Sequence, residues 1–222
     1  EDTPIDTFLV KFRDAKGTLT GAMLADRLSD GLSAVYSYFD PEQPKRGMGT
    51  FMILWLIAEA KRLGFDALEI SDNCVPLDDD ERTKMIKLAI AEGLEVHGEV
   101  GSKVVNQSPQ DLIDQTQVCF DAGCEIVLVE GAELVTDGKV NESMMTALKG
   151  GLDLDRTLLE LTGCWIKGVT PNDIFELKKF LMTEFGPDVN LANVQPDDVM
   201  ETEAMRCGLS VIGPKIEPKA AE

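Results

Sequence analysis

The sequence predicts an α/β fold in two parts: residues 1–64 with short antiparallel strands and a helix, and residues 65–222 with a run of five βα units ending in an acidic C-terminal tail. Three observations lead there. Apolar segments of strand length begin at Asp66, Leu94, Glu125, Arg156 and Asp188, so their starts are 28, 31, 31 and 32 residues apart. Helical patterns lie between them, and strand plus helix recurring at about thirty residues is the grammar of a parallel sheet or barrel. Ahead of Phe65, in contrast, β-rich runs are joined by turns too short for crossover connections, which makes those strands antiparallel. A closed barrel needs eight units and typically about 250 residues. Five units make a partial TIM-barrel-like run, whose sheet stays open or is covered at its edge by the hairpin strands or another subunit.

Each element has a local cause. Phe8–Phe12, Thr18–Leu24 and Leu32–Phe39 are rich in β-branched and aromatic residues. Asp14–Gly17 and Ser29–Gly31 supply the turns between them, with glycine available for positive φ. Pro41 and Pro44 end the third strand, since proline cannot serve a ladder. Met48–Leu63 is helical and apolar on nearly all sides between Phe51 and Ile57, which predicts two covered faces, and Gly64 suits the C′ position. The five strands follow as Asp66–Ser71, Leu94–Val100, Glu125–Glu130, Arg156–Glu160 and Asp188–Asn193. Helices are predicted over Leu77–Glu92 and Ser108–Ala122, and from Thr170 to Gly186 behind a cap residue and a first-turn proline. The last helix opens at Gln195–Asp198.

Composition narrows the function classes. The formal net charge of −19 argues against general affinity for nucleic acid, because backbone phosphates would be repelled. The longest apolar run, Phe51–Ala58, is too short to span a membrane. Five cysteines without a C-x-x-C pair and a single histidine make a zinc site improbable, and reduced thiols in a cytoplasmic protein are expected. The chain opens on Glu1 with an acidic segment that reads as neither a signal peptide nor an initiator methionine, so an excerpt of a longer product is expected. An open parallel sheet exposes unpaired edges, so homo-oligomer formation is also expected.

In barrels, reacting groups sit at the C-terminal ends of strands. Those ends carry Glu69, Ser71 and Asp72; then Glu99 and Lys103; then Glu130 and Glu133; then Glu160; then Asn190 and Asn193. Four successive ends bear carboxylates. Burying unpaired carboxylates is costly, so such a cluster suits a divalent cation with all-oxygen ligation, Mg²⁺ in particular. The lysine is placed to protonate a carbanion or to hold an anionic substrate. The alternative is that these acids are solvated strand ends of a very acidic protein. Elsewhere, Lys45–Thr50 places cations and free N–H groups at a helix start, as an anion site or a plain junction; His97 reads as structural; Cys164–Trp165 lines a pocket or merely packs.

The segments Leu63–Asp72, Glu99–Lys103, Asp121–Glu130, Trp165–Thr170, Phe185–Asn193 and Glu203–Leu209 occur in the order found in phosphosulfolactate synthases, and residues 62–212 resemble that family. The resemblance implies a (β/α)₈ barrel that adds sulfite to phosphoenolpyruvate with Mg²⁺, a lyase reaction of coenzyme M biosynthesis. It implies Lys103 as the catalytic lysine, with Glu99 beside the metal and Glu69 in the catalytic set. Glu130 and Glu160 are implied as metal ligands, and Ser71, Asp72, Asn190 and Asn193 as substrate-binding residues. The family usually has two lysines after the Glu-Val-Gly step; here the first is Ser102. The family's first three βα units are absent, which takes away three of eight strand-end loops. In their place, Asp26–Tyr36, Phe39–Pro41 and Gly49–Trp55 make residues 12–64 resemble leucyl- or arginyl-tRNA–protein transferases, where this segment is part of a GNAT-like domain. The seam falls around Lys61–Phe65, as in a chimera. Three outcomes are open: a synthase-like lyase acting on small anions, an aminoacyltransferase, and a catalytically silent α/β protein.

Overall fold

The computed structural model describes residues 6–28, 31–40, 47–71, 77–103 and 107–209. The basic pair Lys45–Arg46, the turn residues Ser29 and Asp30, Asp72 and Cys74 lie outside them. Two compact units are present, Glu1–Leu68 with Leu88–Glu95, and Glu69–Lys87 with Val96–Glu222.

The first unit carries β1 (Asp6–Arg13), β2 (Leu19–Arg27) and β3 (Leu32–Phe39), antiparallel in that order, followed by α1 (Met48–Leu63). Alternation puts Phe12 and Met23 on one face, where they join Met52 of α1 in a small core with Val10, Met48, Trp55 and Leu56 packed around it. The Phe12 ring meets Phe51 and Trp55 edge-on, at centroid distances of 5.7 and 6.0 Å. Gly64 ends α1 in the left-handed region, its N–H returning to Lys61. The helix is less enclosed than its composition predicts: Met52, Ile57 and Ala60 are buried, but Phe51 is exposed.

The five expected strands form one parallel run: β4 (Ala67–Ser71), β5 (Glu95–Val100), β6 (Ile126–Val129), β9 (Thr157–Glu160) and β10 (Leu191–Ala192). They lie side by side in chain order, each beside its predecessor. Between them run α2 (Asp79–Ala91), α3 (Pro109–Ala122), α4 (Glu142–Gly151) and α5 (Pro171–Glu184), and α6 (Val199–Arg206) follows β10. Sequential order with one hand of crossover sends successive helices to the same face, which is the barrel-forming arrangement rather than the doubly wound one. Burial agrees with this. Ile70, Val96, Val100, Val127, Val129 and Leu159 are almost wholly buried on the helix side, and Gly98 lies so close to α3 that an added Cβ would be 2.9 Å from the Cys119 sulfur. The alternate residues Ile126, Leu128 and Leu158 face the other way and are only half-buried.

Helix starts are built as their residues predict. Ser108 and Thr170 cap α3 and α5 in complete capping boxes with Asp111 and Asp173, each with proline in the first turn. The Asp173 carboxyl also takes Lys139 Nζ at 2.5 Å; Lys139 and the Thr170 hydroxyl hold its pKa down at about 2. Lys178, fully buried on α5, reaches Asp198 at 3.1 Å and Glu201 at 3.2 Å and so ties down α6.

The structure adds what the periodicity passes over. Between β6 and β9 it places a two-residue-turn hairpin, β7 (Val135–Thr136) and β8 (Lys139–Val140), and then α4. Asp137 and Gly138 adopt φ of 50° and 76°, the turn that Asp-Gly favours. β10 is two residues where six were expected, because Gly186 and Pro187 turn the chain just before it and Val189 N–H bonds back to Gly186.

At the junction of β6 and β9, an added Cβ on Gly131 would sit 2.8 Å from the Glu160 carbonyl oxygen and 3.1 Å from both Leu161 C and Thr162 N. Backbone cannot yield as a side-chain tip does, so Gly131→Ala is expected to destabilise the fold by about 1–3 kcal/mol. Urea unfolding of the two proteins checks this, and an unchanged midpoint would contradict the close approach.

Candidate active site

The register fixes where the acids point. β5, β6 and β9 pair with Glu99 opposite Leu128 and Leu128 opposite Leu158. Residues opposite one another in parallel strands share a face, and residues two apart share it too. Glu99, Leu128, Glu130, Leu158 and Glu160 therefore lie on the side away from the helices, and Glu130 and Glu160 stand just beyond the last apolar layer. On β4, Ile70 is buried on the helix side, so Glu69 and Ser71 take the opposite face.

The carboxylates meet there. Glu99, Glu130 and Glu160 are 4%, 3% and 9% exposed, and each offers an oxygen within 4.8 Å of the others. Glu69 is exposed as a residue at the rim, but its carboxyl turns into the cluster and hydrogen-bonds the buried Glu99. Lys103 enters from the loop after β5, with Nζ 3.1 Å from Glu130 Oε2 and its side chain 43% exposed. The other Glu130 oxygen accepts the Ala132 N–H at 3.0 Å, which caps the one-turn helix Gly131–Leu134.

One ammonium does not neutralise four carboxylates. Burial, with the charges of Glu99, Glu130 and Glu69 behind it, raises the Glu160 carboxyl to about 8. Burial and the neighbouring Glu99 raise Glu69 to about 7, and Lys103 pulls both back. Glu69 and Glu160 thus hold their protons toward neutrality, as carboxyls forced beside other carboxylates do. A dication is the other way to neutralise them. Oxygen-liganding dications bind at about 2.1–2.5 Å from each oxygen, so Glu99, Glu130 and Glu160, whose oxygens lie within 4.8 Å of one another, could hold one after closing in around it.

Other expected residues fall differently. Asn190 lies one side-chain layer below Glu160, and its amide donates to the Leu154 and Asp155 carbonyls at the opposite end of β9, so it does not join the cluster. Asn193 stands exposed at the C-terminal end of β10 in the left-handed region, φ 60°. Ser71 is half-buried at the end of β4, and Asp72 lies outside the described residues. His97 is half-buried within β5; Trp165, at 65% exposure, lies over Gly163 rather than in a pocket. Sequence reasoning named Glu133 only as one more acidic strand end. It is 3% exposed and accepts the Ser102 N–H at 2.9 Å and the Gln107 N–H at 3.2 Å, on the two sides of Lys103. Burial raises its pKa and these two N–H bonds lower it again. Gly101 was also passed over. At φ 109° it brings the chain so close that a Cβ would be 2.8 Å from Glu130 Cβ and 3.1 Å from Glu133 Cγ. A glycine directly after an apolar strand was the available signal.

Carboxyls whose folded pKa lies above the unfolded value bind more protons in the folded state, so their contribution is complete below about pH 4.5 and fades as pH rises through about 7 and 8. Without divalent cation, the melting temperature is expected to fall between pH 6 and pH 9, and Glu160→Gln to flatten that fall. Thermal melts across the range check it; a wild-type melting temperature that rises over this interval would contradict the clustered geometry.

Comparison with known proteins follows this geometry. The family model for (2R)-phospho-3-sulfolactate synthase (ComA) matches residues 52–211, and that for the C terminus of arginine-tRNA-protein transferase matches residues 1–71. The phosphosulfolactate synthase of Methanothermobacter thermautotrophicus is 30% identical, over 79% of this chain and 70% of its own length. That of Methanocaldococcus jannaschii is 32% identical, over 68% and 60%. An aspartate/glutamate leucyltransferase of Paramagnetospirillum magneticum is 65% identical over 63 residues, 28% of this chain, which spans about a quarter (26%) of that relative. Among solved structures, dihydrodipicolinate synthase from Agrobacterium tumefaciens superposes with a TM-score of 0.48 at 16% identity, covering 71% of this chain and 52% of its own. Phosphoenolpyruvate phosphomutase from Streptomyces platensis gives 0.41 at 11% identity, covering 58% and 48%. The chain is thus two-part: behind a leucyltransferase-like N-terminal segment, it belongs to the phosphosulfolactate synthase family.

Proposed function

We propose that the second unit is a phosphosulfolactate-synthase-like lyase that adds sulfite to phosphoenolpyruvate, with Mg²⁺ held by Glu99, Glu130 and Glu160. The observation that carries this is the position of Lys103, ion-paired to one member of a buried three-carboxylate group on the stretch that matches the synthases. When bound, the cation neutralises the carboxylates and draws electron density toward the substrate's carboxylate.

The chain's own groups have three tasks. The mouth receives two small anions, for which Lys103 supplies positive charge. Sulfite's sulfur lone pair forms the C–S bond at the methylene carbon, and the alkene electrons move onto the adjacent carbon and its carboxylate. The Lys103 ammonium then delivers a proton to that carbon, leaving the phosphate ester intact. Glu130, already beside Nζ, steadies the ammonium before transfer. Glu69 and Glu99, sharing a hydrogen bond, keep the rim carboxylates oriented. A reduced, cytoplasmic setting fits the four free thiols among the described residues, and none of the described helices is long and apolar enough to cross a membrane.

With five strands rather than eight, the inner layer of Ile126, Leu128 and Leu158 is half-buried, and water reaches the site more easily than in a closed barrel. Slow turnover is expected for that reason.

Aminoacyl transfer is the second reading, favoured by the 65% identity of the leucyltransferase-like segment. The chain spans only a quarter of that relative, and a net charge of −19 repels a tRNA backbone. Transfer of labelled leucine from charged tRNA to an acceptor peptide would reverse the ranking.

Incubation with phosphoenolpyruvate, sulfite and Mg²⁺ is expected to give phosphosulfolactate by mass spectrometry, with nothing formed in chelator. Lys103→Ala is expected to lower the rate by about 10²–10⁴-fold, the range for a lost general acid. A folded wild-type chain that makes no product, or a Lys103→Ala variant with undiminished rate, would overturn the assignment.

A further inference from the structure

We propose that Glu133 is a positioning residue for Lys103: its carboxylate holds the backbone on both sides of the lysine and so sets where the ammonium can reach. This rests on the reading of Lys103 given above, but the clamp itself is a matter of geometry.

Glu133 belongs to the one-turn helix after β6, while Lys103 follows β5. Its two oxygens are divided between two N–H donors, Ser102 at 2.9 Å and Gln107 at 3.2 Å, which lie 31 and 26 residues away in sequence. Those donors bracket Lys103. Glu133 is not one of the three carboxylates that converge on the cation position, and it is buried at 3% exposure. A buried carboxylate engaged with backbone amides at both oxygens fixes a chain segment rather than receiving a substrate.

Two further observations favour the clamp over the ion pair as the device that fixes Lys103. The lysine side chain is 43% exposed, and an ion pair that open to water contributes little by itself to holding a long flexible stem. Gly101, at φ 109°, lays the chain against Glu133 Cγ, so a side chain there would lift the segment off its anchor. The strand end, the glycine and the carboxylate together aim the Lys103 backbone toward Glu130.

Only a carboxylate offers an acceptor to each amide. Glutamine keeps the shape but presents an NH₂ to one of the two N–H groups, so Glu133→Gln releases one side of the clamp. Two measurements on the full chain test this without relying on turnover. In the wild type, the Ser102 and Gln107 amides are expected to exchange with deuterium far more slowly than exposed amides; fast exchange at both would overturn the proposal. In folded Glu133→Gln, trypsin is expected to cut after Lys103 about tenfold faster, relative to its cut after Lys149; an unchanged ratio would overturn it. If the variant does not fold, amide exchange in the wild type decides. Where the wild type turns over, Glu133→Gln is expected to lower kcat about a hundredfold with little change in KM, and to cause no further loss in a Lys103→Ala background. Additive losses would assign Glu133 a separate role. A wild type without activity counts against the lyase reading alone, since exchange and proteolysis still report on the clamp.

Discussion

Like-charge crowding is the constraint on which the second unit is organised. Strands laid side by side in chain order bring their ends together, and Glu69, Glu99, Glu130 and Glu160 gather there on the face away from the helices, with Glu99 one layer below Glu130 and Glu160. Bringing four acids together out of water is unfavourable. The fold tolerates it by the hydrogen bond between Glu69 and Glu99, by the raised pKa of Glu69 and of Glu160, by an N–H bond to Glu130 and by one lysine. The same crowding that costs stability would favour a cation among Glu99, Glu130 and Glu160.

Much of this was legible in the residues. The recurrence of apolar segments at about thirty residues marked out the parallel run, while the register of β5, β6 and β9 is seen only in the structure. Their positions at successive strand ends singled out Glu99, Glu130 and Glu160, and the observed register puts them on one face. The capping boxes at Ser108 and Thr170 are local and were readable directly. What was not legible is non-local or depends on backbone detail. Val135–Val140 carries a hairpin signal in Asp137-Gly138, yet the βα period spans it without needing it. Asn190 stands close to a strand end in sequence, but the short β10 puts it a layer too low, where its amide bonds the loop before β9. Glu133 looked like its acidic neighbours, since no sequence pattern shows that two amides 31 and 26 residues distant will meet its oxygens.

The two halves of the chain pose different physical problems. The synthase-like part brings a charged mouth that a partial sheet leaves open along its inner layer, where Ile126, Leu128 and Leu158 are half-buried. The leucyltransferase-like part brings a small three-stranded sheet whose outer strand is exposed along most of its length, Tyr36 and Tyr38 included. Each unit has buried residues of its own, so packing alone does not require either to carry the activity of its relatives. Function has to be argued from the site, and among the described residues the three carboxylates that could share an ion lie in the second unit.

The proposed chemistry needs a cation held by Glu99, Glu130 and Glu160. Crystals soaked in Mn²⁺ and measured at the manganese absorption edge address it most directly. A single anomalous peak within bonding distance of all three carboxylates is the expected result. Carboxylates that remain apart with no peak between them, or a peak bound elsewhere on this acidic surface while the three stay empty, would contradict it.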